Sequence, residues 1–376
     1  MISYVIPTRN RPERLKQTLW AIEALGDHRA CGGAEVVVVD NASTERLIMP
    51  AELACGGAGA VPVRAVLLDE NMGAAARNIG VAESEPASEW IVMLDDDSYP
   101  DDTAFMERLA AQPADVAAVS ADIWLDTRGR ADTRESGGLP EVFIGCGVAI
   151  RRRVFKELGG YDAAFGYYAE EYDLAARMLL AGHRVAFEPL FSVTHAKVSS
   201  GRDMNTILGR LVRNNGWVAQ RYAPESCRLA ELRETRRRYR RIAAKERALS
   251  GFGRGLVELR KTLWRQKRTP MSVELWDRFT GLAAARAALQ RQYAARPFRS
   301  AAIIDPGKNA WVVARALEEL GVRLTGEGED AEVSVIGTMS PGPMMDAMRK
   351  RAGGRQRVIM PWDVGEVAME RVREAA

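Results

Sequence analysis

Chemistry is most readable in the stretch Trp90–Pro100, WIVMLDDDSYP. An apolar run, Trp90 to Leu94, ends in three successive carboxylates, Asp95, Asp96 and Asp97, before Ser98-Tyr99-Pro100. A continuous apolar run of this length, bounded by turn residues, reads as a strand buried on both faces. The carboxyl end of such a strand is where an open α/β sheet places ligands. Three adjacent Asp side chains repel one another unless a cation or polar partners offset the charge. Hard oxygen donors of this kind suit Mg²⁺ or Mn²⁺, particularly when substrate phosphates complete the octahedron. The competing reading is an acidic turn that caps a following helix from Ser98 or Asp101.

Two further groups of residues have chemistry to offer. Tyr167 to Leu180 reads as a helix with acid at its start, and Glu170, Asp173 and Arg177 share one face at i, i+3 and i+7, where they can pair. Glu171 points to another side, that of Leu174. His195 follows the strand-like run Phe191–Thr194, a position where a lone His is more often structural than catalytic. Phe143 to Ile150 looks like a strand carrying Gly145 and Gly147, and glycine inside a strand marks a bulge or a close approach of backbone to a ligand.

These residues need a scaffold, and the first two hundred positions supply one. Ile2–Ile6, Val36–Val39 and Val63–Leu68 read as strands, with helices from about Pro12 to Leu25 and Ala74 to Ala82. Strand, loop and helix alternate, which implies an α/β class with a mostly parallel sheet and helices on both faces. Each strand ends in polar or glycine-containing residues that converge on one edge, and converging polar loops favour a nucleotide site.

Ile6-Pro7-Thr8-Arg9-Asn10-Arg11, Val39-Asp40-Asn41-Ala42-Ser43, Asn71-Met72-Gly73 with Ala76-Arg77-Asn78, and Leu94-Asp95-Asp96-Asp97 follow one another in a set order. Gly145-Cys146-Gly147, Gly159-Gly160-Tyr161-Asp162, Phe165-Gly166, Glu170-Glu171-Tyr172-Asp173-Leu174 and His195 continue it. This ordered set, covering roughly residues 1–225, resembles the family-2 glycosyltransferases. The resemblance implies a GT-A fold, a nucleotide-sugar donor and, in most members, inversion at the anomeric carbon. It implies that Pro7, Thr8, Asn10, Asp40, Asn71, Gly73, Arg77, Asp95 and Asp96 surround the nucleotide. In the same way Gly145, Cys146 and Gly147 would pass beside the donor sugar. Asp97, Asp95 and His195 would bind Mn²⁺ or Mg²⁺. Which of the three successive Asp residues form the working pair stays open. Glu171 takes the position of the family's general base, usually an Asp, with Glu170 and Asp173 as alternatives.

Composition sets the outer limits. The chain has 376 residues, 47% hydrophobic and 27% charged, enough for two or three domains with a sizeable core. A formal charge of +3 does not by itself imply nucleic acid. Cys31, Cys55, Cys146 and Cys227 lack metal-ligand spacing and read as reduced thiols. No signal peptide or long apolar stretch is visible, which points to the cytoplasm.

Beyond residue 225 the resemblance stops. Residues 226–298 read as a helical, Arg-rich linker region, with Arg236-Arg237-Arg238 and Arg240-Arg241 inside the basic run 228–268. That run fits a solvated arm, an anionic acceptor site, or a peripheral helix at the inner face of a membrane. Sparse aromatic interleaving disfavours nucleic acid. Residues 299–376 read as a small Rossmann-like α/β module for docking or dimerisation, with no Walker lysine pattern or GxGxxG. The expected function is a metal-dependent, inverting glycosyltransferase using a UDP- or dTDP-sugar. Its acceptor, a lipid-linked species, glycan, peptide or small molecule, is left open. The rival readings are a nucleotidyltransferase and a catalytically inactive nucleotide-sugar-binding scaffold.

Overall fold

The computed structural model describes residues 1–45, 47, 61–126, 131–197, 203–326, 329–351, 353–354 and 356–365. The first part alternates as expected: β1 (Ile2–Thr8), α1 (Pro12–Ala24), β2 (Ala34–Asp40), β3 (Val63–Leu67), α2 (Ala76–Glu83) and β4 (Trp90–Met93). Pro12 opens α1, where its missing N–H costs nothing, and Glu13 favours the same end of the helix dipole. β2, AEVVVVD, is buried along its whole length, whereas β3 has exposed positions and closes the sheet at that edge.

β5 (Ser98–Pro100), α3 (Ala104–Ala110), β6 (Val116–Asp126), β7 (Ala131–Arg134), β8 (Val148–Arg151), α4 (Arg152–Glu157), α5 (Glu170–Leu180) and β9 (Arg184–His195) complete the first sheet and its cover. Its nine strands run in the order β3-β2-β1-β4-β8-β6-β9-β5, with β7 paired to β6. β3, β2, β1 and β4 are mutually parallel. β8 is antiparallel to both β4 and β6, while β6 and β9 are parallel. Because β1 lies between β2 and β4, the loops after all three strands emerge on one edge, and that edge carries the carboxylates.

Three local expectations need correcting. Residues 143–147 are not strand; β8 begins at Val148, so Gly145 and Gly147 lie in the loop that enters it. α5 starts at Glu170 rather than Tyr167, because Tyr168 and Ala169 take left-handed φ values of 75° and 67°. The run 228–268 is not one arm but two helices, α7 (Arg228–Lys245) and α8 (Leu249–Thr262), both packed on α6 (Met204–Tyr222).

α9 (Val273–Thr280) and α10 (Leu282–Ala295) lead to the last unit, made of β10 (Ser300–Ile304), α11 (Ala310–Glu319), β11 (Arg323–Thr325), β12 (Val333–Ile336), α12 (Pro341–Arg349) and β13 (Val358–Ile359). Its strands form a parallel sheet in the order β11-β10-β12-β13. The sequence also predicts a last helix from Val364, and past Gly365 that segment lies outside the described residues. One continuous apolar core joins the two sheets: Val148 and Phe165 belong to the same cluster as Val335, Met339 and Trp362. Arg134 fixes the contact, donating to Asp122 Oδ1 at 2.7 Å and to Asp346 Oδ1 at 2.8 Å.

Candidate active site

Charge balance governs the carboxyl end of β4. Asp95 accepts from Arg77, whose guanidinium also reaches the Leu94 carbonyl at 3.2 Å. Asp96 accepts from Thr8 Oγ1 at 2.9 Å and from Arg11 Nη1 at 2.6 Å. Asp97 accepts from Arg11 Nη2 at 2.5 Å and faces His195 Nε2 at 3.3 Å. Each carboxylate of the triplet therefore has a cation of its own or shares one, which answers the repulsion seen in the sequence. Burial still dominates at Asp96 and pushes it up to about 7 against the pull of Arg11. At Asp97 burial is outweighed by His195 and Arg11, and the carboxyl stays below its ordinary value.

His195 is held from both sides. Its Nδ1 meets Glu135 Oε2 at 3.0 Å, and the Cys146 thiol lies 3.7 Å from the same nitrogen. Lys197 Nζ in turn binds both oxygens of Glu135 at 2.8 Å. Burial disfavours the imidazolium, but Cys146, Asp97 and Glu135 outweigh it and push His195 up to about 12. Glu135 goes the other way, down to about 2, as His195 and Lys197 overcome its burial. The result is a buried chain from Lys197 through Glu135 and His195 to Asp97.

A second pair of acids faces the triplet across a cleft of about 380 Å³. The left-handed turn at Tyr168 and Ala169 swings the chain so that Glu170 and Glu171, in the first turn of α5, both line it. Glu170 is buried, and its Oε2 has no hydrogen-bond partner among the described residues. Glu171 is half-buried and rests on the backbone of Gly145, where a Cβ would stand only 3.1 Å from Oε1. Burial raises the pKa of both, helped at Glu170 by the neighbouring charge of Glu171; backbone hydrogen bonds and Arg77 oppose the shift at Glu171.

The cleft gathers Pro7, Thr8, Gly73, Arg77, Asp95, Asp96, Asp97, Gly145, Cys146, Glu170, Glu171 and His195 from the residues picked out in the sequence. Asn10 lines an adjoining cavity of about 240 Å³ that shares Thr8 and Arg11 with it. Four candidates stand elsewhere. Asp40 is buried and caps its own turn, accepting from the Ser43 amide at 2.9 Å. Asn71 braces the wall from behind, accepting from Gly73 N at 2.9 Å and Tyr167 Oη at 3.1 Å. Gly147 packs against Ile123 and Ala121. Asp173 is fully buried on the far side of α5, bound by Arg177, Arg221 and Tyr222. Among the described residues Arg177 pairs with Asp173, and Glu170 does not join that face as its spacing suggested.

Arg9, Arg11, Asn41, Ile144, Tyr167 and Tyr168 also line the cleft, and sequence reasoning gave them no role. Arg11 had a readable signal, since three carboxylates require a nearby cation and it sits in the loop after β1. Glu135 had none, lying 60 positions from its partner His195.

The donor set suits a hard divalent cation. Asp95, Cys146 and His195 bring ligand atoms within 4.8 Å of one another, and Asp97 adjoins the imidazole. Burial keeps the Cys146 thiol above its ordinary pKa, so the donors are the carboxylates and the His195 imidazole once a cation displaces its proton, a mixture suited to Mn²⁺. Arg11 spans Asp96 and Asp97 with a side chain that is 37% exposed.

Residues 3–136 match the family model described as glycosyl transferase family 2. No curated protein sequence matches the chain. Among solved structures, residues 1–349 of S. aureus TarS in complex with UDP-GlcNAc are 15% identical, with TM-score 0.51, covering 88% of this chain and 98% of that one. GalNAc-T7 with UDP, GalNAc and Mn²⁺ is 15% identical, with TM-score 0.49, covering 71% of this chain and 55% of that one. The mannosyltransferase PcManGT from Pyrobaculum calidifontis, in complex with GDP-Man and Mn²⁺, is 19% identical, with TM-score 0.47, covering 85% and 86%. This chain thus spans about half the length of the GalNAc-T7 chain. The family match supports a family-2 glycosyltransferase domain over residues 3–136, and the TarS likeness supports the α/β fold that goes with it.

Proposed function

We propose that this protein is a metal-dependent, inverting glycosyltransferase that moves a sugar from a nucleoside diphosphate donor to an acceptor hydroxyl. The observation that carries this reading is one cleft with the carboxylates of Asp95, Asp96 and Asp97 on one wall and the Glu170–Glu171 pair on the other. Arg77 and Arg11 supply fixed positive charge for a diphosphate at the end of β4. Asp97, Asp95 and His195 would hold Mn²⁺ or Mg²⁺, with Glu135 fixing the imidazole so that Nε2 faces Asp97. A bound cation would neutralise charge building on the departing diphosphate.

Glu171 is the general base of this proposal. It is the more exposed of the pair and sits in the first turn of a helix, whose dipole favours the ionised form. Glu170, buried beside it with an unpartnered oxygen, keeps the local proton affinity high. Inversion follows from a single displacement: the acceptor oxygen attacks the anomeric carbon, Glu171 takes its proton, and the diphosphate leaves toward Arg77 and the Asp triplet. A uridine donor is favoured, since the TarS neighbour was solved with UDP-GlcNAc; dTDP differs only in the base methyl and the ribose.

The test is turnover of a panel of nucleotide sugars with Mn²⁺, reading released nucleoside diphosphate. One donor should be consumed, and chelation should stop it. Donor binding without turnover across the panel would leave a scaffold, and release of inorganic pyrophosphate from nucleoside triphosphate would indicate a nucleotidyltransferase.

A further inference from the structure

Outside the cleft, α8 presents a face that glycosyl transfer does not use. Leu249 is 53% exposed, Val257 51% and Trp264 75%. Leu249, Gly253, Val257 and Arg260 fall at i, i+4, i+8 and i+11, one stripe along the helix. Trp264 lies in the turn Leu263–Arg265 that prolongs it. The opposite face of α8 is committed to α6: Gly251 and Gly255 sit so close to the backbone of Asn205 and Gly209 that a Cβ would collide, and Leu259 packs on Gly216. The stripe therefore faces away from the rest of the molecule.

Its charges have one sign. Arg254, Arg260, Lys261, Arg265 and Lys267 are exposed around the apolar residues. The one acid between positions 249 and 268, Glu258, turns toward α6 and pairs with Arg213 at 3.4 Å. On the neighbouring α7, Arg236, Arg240 and Arg241 are exposed as well. A Trp with aliphatic neighbours, ringed mainly by Lys and Arg with Glu246 and the paired Glu258 as the nearby acids, matches the boundary between lipid headgroups and acyl chains. The ring and aliphatic groups enter the apolar layer while the long basic side chains reach the anionic headgroups. A single aromatic is too few for a base-stacking platform.

We propose that this face of α8 docks the protein on an anionic membrane surface. No helix among the described residues is long and apolar enough to cross a bilayer, so the contact is peripheral. The inference does not depend on the chemistry of the cleft, and its test reads no transfer.

The full chain should co-sediment with vesicles of phosphatidylcholine mixed with phosphatidylglycerol, far less with phosphatidylcholine alone, and less as salt rises. Trp264→Ser should weaken the partition by about tenfold or more. Arg260→Gln with Lys261→Gln should weaken it roughly fivefold per cation and flatten the salt dependence. These positions are exposed, so circular dichroism and melting temperature should match the parent. No binding to anionic vesicles at low ionic strength would overturn the proposal. So would binding that ignores Trp264 and both cations, or a preference for duplex DNA over the vesicles.

Discussion

At the scale of single residues, burial raises the proton affinity of two cleft carboxyls, Glu170 and Glu171. Glu171→Gln keeps the size but cannot accept a proton, so transfer should slow by roughly 10²–10⁴-fold with donor affinity unchanged. In the parent, the raised pKa of Glu171 places the acidic limb of the rate profile above the ordinary carboxyl value of 4.5, with activity rising as the base ionises. That limb should vanish from the residual rate of Glu171→Gln; if it persists, the base lies elsewhere. The sign for stability is opposite. A carboxyl raised in the folded state contributes stability that is complete below its unfolded pKa and is lost as pH rises through the folded one. Ionisation of Glu171, which the proposed mechanism needs, thus disfavours the fold over the same pH window.

At the scale of elements, α5 separates cleft-lining acids from structural ones within four residues. Asp173 has no access to the cleft and anchors Arg177 and Arg221 in the interior. Asp173→Ala should cost about 3–5 kcal/mol in urea unfolding, because it strands buried charge. Unchanged stability with lost transfer would return Asp173 to the active site. This distinction shows where sequence reading reaches and where it stops. β1, β2, β3 and β4 were legible because runs such as Val36–Val39 and Trp90–Leu94 are apolar throughout and end in polar loops. The start of α5 was not, since left-handed φ at Tyr168 and Ala169 overrides the helical pattern that precedes Glu170. Gly145 and Gly147 suggested a strand, but they lie in a loop where a Cβ at position 145 would press on the Glu171 carboxylate at 3.1 Å. Arg11 had a signal in the unbalanced charge of the Asp triplet, but Glu135 and Lys197 became visible only when the fold brought them to His195.

At the scale of the whole molecule, the C-terminal sheet is more than an appended unit. Arg134 bonds to Asp346, and the next residue, Glu135, orients His195, so docking and site share one segment. Ser340 Oγ meets the Gly137 amide at 2.8 Å on the same stretch. Because one apolar cluster spans both sheets, thermal unfolding followed by tryptophan fluorescence and by circular dichroism should give a single coincident transition. Two separated transitions would show that the units fold independently. The central claim, that the acidic end of β4 and His195 form a cation-dependent donor site, meets its most direct test in calorimetric titration of the UDP-sugar with and without Mn²⁺. The parent should bind the donor at least tenfold more tightly with Mn²⁺, and Asp97→Ala should lose that gain while keeping its fold. Equal Mn²⁺ enhancement in parent and Asp97→Ala would contradict it.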